Sequence, residues 1–171
     1  MKRILILFIS LSAISFVGKS QKFALVDVEY ILKNIPSYEM ANEQLNQLSQ
    51  KWQKEIENKQ TQAAEAYQQY QADYIFLSDD QKRQQEQAVT EIEKQAAELR
   101  YKYFGPEGEL YKKRKSLIEP IQDQIYEAIK KLADEKGYQA IFDRASSSDI
   151  IFASPRIDVS NDVLARLGYS R

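Results

Sequence analysis

Between residues 37 and 135 apolar side chains fall three and four apart on otherwise polar ground, the spacing of one thin helical seam. On the outgoing side the seam is Ala41, Leu45, Leu48, Trp52 and Ile56; it thins to Ala63, Ala64 and Ala66, then resumes as Tyr67, Tyr70, Tyr74 and Leu77. This predicts a first helix to about Leu77, with Ser37 as its N-cap and Glu39 in its first turn. Ser78-Asp79-Asp80-Gln81 then reads as a new helix start, because Ser with Gln three residues later forms a capping box. A fresh N-terminus inside helical sequence predicts a chain reversal with its tip near 78–80, in preference to a kink in one continuous rod. The return seam is Val89, Ile92, Ala96, Leu99, Tyr103, Leu110, Leu117, Ile121, Ile125, Ala128 and Leu132. Gly105-Pro106-Glu107-Gly108 interrupts it, yet Ala96, Tyr103, Leu110 and Leu117 stay seven apart, so a bulge or kink within one arm is expected. Pro120 should bend the same helix. At about 1.5 Å of rise per residue, an arm of about 40 residues reaches about 60 Å.

Short apolar segments flank this region. Phe23-Ala-Leu-Val-Asp-Val28 is nearly continuous, as in a strand covered on both faces. Glu29 to Lys33 suits one helical turn. After Gly137, which should end the return helix, Tyr138–Asp143 and Asp149–Ala153 read as two strands joined by the loop Arg144–Ser148. Ser160 is expected to cap a closing helix with Val163, Leu164 and Leu167 on one face, stopped by Gly168. The fold class is α+β: a small β-sheet body from residues 21–36 and 136–171, carrying a long antiparallel α-helical hairpin from 37–135.

The first twenty residues change the picture again. Lys2 and Arg3, the apolar run Ile4–Val17 and the small residues of Gly18-Lys19-Ser20 form a cleavable secretory signal, with cleavage expected after Ser20. The run is shorter than the roughly 20 residues a spanning helix needs. Removing Lys2, Arg3 and Lys19 moves the formal charge from −1 to −4. Nothing in that mildly acidic balance suggests a nucleic-acid partner, and none is expected. With no Cys and no His, thiol and imidazole nucleophiles and His or Cys metal sites are absent, and no cofactor is expected.

An exported, staple-free body of about 50 residues buries too little surface to stand alone comfortably. Its apolar strands would leave edges uncovered, so a homo-oligomer is expected. The candidate oligomer core is Phe23, Leu25, Val26, Val28, Ile141, Phe142, Ile150, Ile151 and Phe152. One arm per subunit around a common axis follows from symmetry.

The chain resembles the Skp/OmpH family of periplasmic chaperones. Phe23-Ala-Leu-Val-Asp-Val-Glu-Tyr-Ile-Leu32 looks like the family's opening strand and helical turn, Gly137-Tyr-Gln-Ala-Ile-Phe-Asp143 like its second strand, and Asp158-Val-Ser-Asn-Asp-Val-Leu164 like its closing helix. The resemblance implies a homotrimer with an inter-subunit β-barrel and three helical tentacles around a cavity. That cavity would hold unfolded outer-membrane proteins close to the membrane, in the periplasm of a Gram-negative bacterium, without ATP. Familiar members are basic whereas the mature chain here is acidic, so lipopolysaccharide binding is not carried over.

A holdase needs adaptable amphipathic surface rather than one deep pocket, and tyrosine supplies it. The candidate contact residues are Tyr67, Tyr70, Tyr74, Phe76, Tyr101, Lys112, Lys113 and Arg114. Against this, Tyr67, Tyr70, Tyr74 and Tyr103 lie on the seam and Trp52 should be arm core, whereas Phe76 and Tyr101 lie off it. The basic run Lys112–Lys115 also reads as a solvated helix face. The alternative function is a structural spacer or adaptor whose tip docks one folded envelope partner. Carboxylates are abundant but none sits in a pocket-forming pattern, so an enzyme is not expected.

Overall fold

The structure is a computed structural model that describes residues 21–146 and 150–169. Strand β1 (Lys22–Val26) pairs in parallel with β2 (Tyr138–Asp143), running from Lys22 opposite Tyr138 to Val26 opposite Asp143. Parallel neighbours need a crossover, and here the crossover is the whole helical region. The other edge of β1 is taken by residues 158–159: Leu25 bridges Asp158, and Val159 N–H donates to the Leu25 carbonyl at 2.9 Å. The expected strand over 149–153 is therefore corrected. Asp149 lies outside the described residues, and Ile150–Ala153 joins no ladder in this chain. An apolar run makes a strand only when an edge is offered to it, and β1 spends its second edge on Asp158.

Helix α1 (Val28–Lys33) is capped by Asp27, whose carboxylate accepts the Tyr30 N–H at 2.8 Å. Helix α2 (Pro36–Asp73) begins before Ser37, which is therefore not its cap; Ile35 holds that place without a side-chain bond. Pro36 explains this, since its fixed φ and missing N–H suit a first helical position. A short 3₁₀ turn follows at Tyr74–Phe76, and Leu77 is extended. Helix α3 (Asp79–Phe104) starts with both halves of the capping box: Ser78 N–H donates to Gln81 Oε1 at 2.9 Å, and Gln81 N–H donates to Ser78 Oγ at 3.4 Å.

Helix α4 (Glu109–Lys136) runs on through Pro120 and ends at Gly137, which adopts φ 70°. The step between α3 and α4 is built on close approach rather than handedness. Gly105 and Gly108 have φ of −63° and −69°, but a Cβ at either would collide with the carbonyl oxygens of Tyr101 or of Lys102 and Tyr103. Helix α5 (Ser160–Arg166) has Val159 as its N-cap, correcting the cap expected at Ser160. That hydroxyl is engaged elsewhere: it accepts the Asp27 N–H at 2.8 Å and donates to Asp158 Oδ1 at 2.6 Å.

Two regions result. At the base one cluster gathers Ala24, Val26, Ile31, Leu32, Ile35, Val159, Val163 and Leu164 around Ile121, Ile125, Ala128 and Leu132 of α4. Beyond it α2 and α3 lie side by side in opposite directions, because contacts further out on α2 fall further back on α3. Tyr103 Oη donates to Glu55 at 3.0 Å, Lys59 Nζ to Gln95 at 3.1 Å, and Tyr70 Oη to Glu86.

Candidate functional site

Seam phase decides which large side chains the two-helix limb hides. Ile56 is fully buried, and Ala63, Tyr70, Val89, Ala96 and Tyr103 are nearly so. Trp52 lies flat on Tyr103, ring centres 4.8 Å apart, and meets Phe104 edge-on. Of the candidate contact residues, Tyr70 is therefore internal. Its hydroxyl donates to the Glu86 carboxylate, and that bond, with desolvation and the neighbouring charge, pushes the phenol up to about 12. The Tyr103 phenol is also raised, by burial first and by its bond to Glu55 second.

Tyr67 and Tyr74 sit on the seam yet remain 48% exposed. The helix pair encloses Tyr70, while Tyr67 and Tyr74 flank that ring and stay partly in solvent. Tyr74 packs edge-on against Tyr70, and Lys82 lies over its outer face. Phe76 is 82% exposed and Tyr101 74%, as their off-seam positions require. Sequence reasoning missed Ile75, exposed beside Phe76 in the 3₁₀ turn. The available signal was that Tyr74 and Leu77 claim the inward phase, which leaves both intervening residues outside. Lys112, Lys113 and Arg114 are exposed on α4, with Lys112 paired to Glu109 at 3.2 Å.

Midway along the limb the seam narrows to alanine. A shallow hollow of about 330 Å³ opens there between Ala63, Ala64, Ala96 and Ala97, flanked by Tyr67 and Arg100. It is a gap of missing side-chain bulk in an open groove.

The candidate oligomer residues divide in two. Leu25 and Val26 are buried within this chain, and Val28 and Ile141 pack partly buried against its core. Phe23 and Phe142 touch across the sheet at 6.3 Å between ring centres but are about half exposed. Ile150 is half-buried, whereas Ile151 and Phe152 stand almost wholly in solvent. The structure thus brings Phe23 and Phe142 together on one side of the sheet, away from the arm residues.

Among the described residues no helix is long and apolar enough to cross a membrane, and no group of carboxylates is placed to hold a metal ion. Comparison with protein families finds one whose description, outer membrane protein (OmpH-like), fits residues 22–167. No curated protein matches the chain.

Proposed function

The chain belongs to the OmpH-like outer membrane protein family, whose members are associated with periplasmic chaperoning of outer-membrane proteins, and on that premise we propose that it is an ATP-independent holdase. In this reading residues 1–20 are a signal peptide cleaved after Ser20 and the mature chain works in the periplasm. Residues 21–36 and 136–171 form the oligomerisation body, whose sheets close into a shared β-barrel in a homotrimer. Residues 37–135 form the hairpin arm, and three arms enclose unfolded outer-membrane proteins near the membrane surface.

The observation that carries the reading is where exposed bulk lies. Tyr67, Tyr74, Ile75, Phe76, Tyr101 and Tyr111 are spread along a slender limb instead of lining one enclosed cavity. Scattered apolar surface binds many sequences weakly, and several arms acting together convert weak contacts into retention. The chemistry asked of the protein is burial, with no bond made or broken.

The test is suppression of aggregation of a urea-unfolded outer-membrane barrel protein diluted into buffer, at about one trimer per client. Full suppression without nucleotide is expected, together with a solution mass of three chains. A monomer with no effect on aggregation would end the proposal. The exposed Ile75–Phe76 pair favours one further reading, an adaptor whose tip seats in a folded envelope partner. Tight one-to-one binding to such a partner, with aggregation unchanged, would select it.

A further inference from the structure

The end of β2 and the start of α5 meet around a ring of polar contacts that the proposed function leaves unused. Arg144, the residue after β2, donates its backbone N–H to the Val26 carbonyl at 2.8 Å. Its guanidinium donates through Nε to Asp27 Oδ2 at 3.2 Å and through Nη1 to Asp158 Oδ2 at 3.1 Å. Each aspartate spends its other oxygen on a nearby turn: Asp27 Oδ1 accepts the Tyr30 N–H, and Asp158 Oδ1 accepts the Ser160 N–H at 2.9 Å. Ser160, itself buried, closes the ring by accepting the Asp27 N–H and donating to Asp158. Three segments distant in sequence are thereby fixed to one planar cation.

We propose that Arg144 is the positioning residue of an ionic clasp that fixes residues 158–160 against β1, and so sets where the stretch bearing the exposed Ile151 and Phe152 leaves the sheet toward a second copy of this chain. The clasp rests on the assembly reading above for its occupant but not for its geometry. A planar fork suits the task because it serves two carboxylates at once, which a lysine ammonium does with less directional control. Arg144 is half exposed, so its pairs add little to global stability. What the guanidinium supplies is alignment: without it, the Val159–Leu25 and Asp27–Ser160 bonds and the buried Val159 side chain still hold this stretch, but nothing ties Asp158 to Asp27 through the end of β2.

The experiment compares the full-length mature chain with Arg144→Ala and Arg144→Lys by amide hydrogen exchange and by concentration-dependent mass measurement. In Arg144→Ala the Val159 amide should exchange at least fivefold faster, while amides near Ile56 in the limb keep their rates. Half-dissociation of the oligomer should move to at least tenfold higher concentration, with Arg144→Lys between. Unchanged exchange at Val159 would overturn the clasp. Faster exchange with unchanged assembly would overturn its role in presenting Ile151 and Phe152. A wild-type chain that is a monomer would overturn the assembly reading and that role together, and exchange at Val159 would still test the clasp.

Discussion

Ile31 in the base and Ile56 in the limb are both fully buried, but what surrounds them differs. Ile31 belongs to a cluster drawn from β1, α1, α4 and α5, so its neighbours come from opposite ends of the chain. Ile56 sits on a seam between two helices, with polar residues immediately outside it. Equal burial therefore has unequal meaning. A base residue is held by several independent walls, whereas a limb residue is held by one. Where cooperative stability is concentrated, the base must keep its shape; where it is thin, the limb can open locally without unfolding the whole.

Matched truncations break this comparison most directly. Ile31→Ala should cost about 2–5 kcal/mol of global stability, the usual range for emptying a rigid core site. Ile56→Ala removes the same atoms from a site free to collapse, and should cost about 1–2 kcal/mol, seen mainly as faster exchange in the limb. Denaturant unfolding monitored by circular dichroism checks both, and equal global losses would erase the distinction.

pH sharpens it by acting on each region from opposite ends of the scale. In the base, burial opposes ionisation of Asp143, but hydrogen bonds from Ser146 and from the Val28 and Ala145 amides outweigh it and hold the carboxyl below its usual range. That contribution is present above the unfolded value of about 3.9 and is lost as pH falls through the lower folded value. Acid below about pH 4 should loosen the base, and Asp143→Asn should remove that dependence from thermal melts.

In the limb the sign reverses. Tyr70, raised to about 12 by its bond to Glu86, contributes below the unfolded value of about 10 and loses its contribution as pH climbs toward about 12. Tyrosinate absorbance reads this ionisation directly. Tyr70→Phe should remove a step near pH 12, and a titration unchanged by that substitution would refute the assignment. The smallest effect on stability belongs to the tip. Ile75→Ser with Phe76→Ser should shift unfolding by no more than about 0.5 kcal/mol, yet weaken client protection several-fold in the aggregation assay.

What was legible in the sequence was local. The Ser78–Gln81 capping box, the helix stop at Gly137 and the seam phase that exposes Phe76 and Tyr101 depend on residues a turn or so apart. What was not legible depended on distant neighbours. Ser160 reads as a helix cap until the Asp27 amide, 133 positions away, recruits its hydroxyl. Ile150–Ala153 reads as a strand until the second edge of β1 is found occupied by Asp158. The half exposure of Tyr67 and Tyr74 was the harder case, since seam position predicts packing between the helices but not how fully a lone pair of helices encloses each ring.

The parallel pairing of β1 with β2 also fixes an order of events in time. Val28 and Asp143 are hydrogen-bonded across 115 positions, so the opening strand must wait, unpaired, until nearly the whole polypeptide has emerged. Nearby helical contacts form fast and such remote ones slowly. The limb should therefore be complete while its own anchorage is still unmade, and a newborn chain would spend that interval needing the very shelter its finished form is proposed to give.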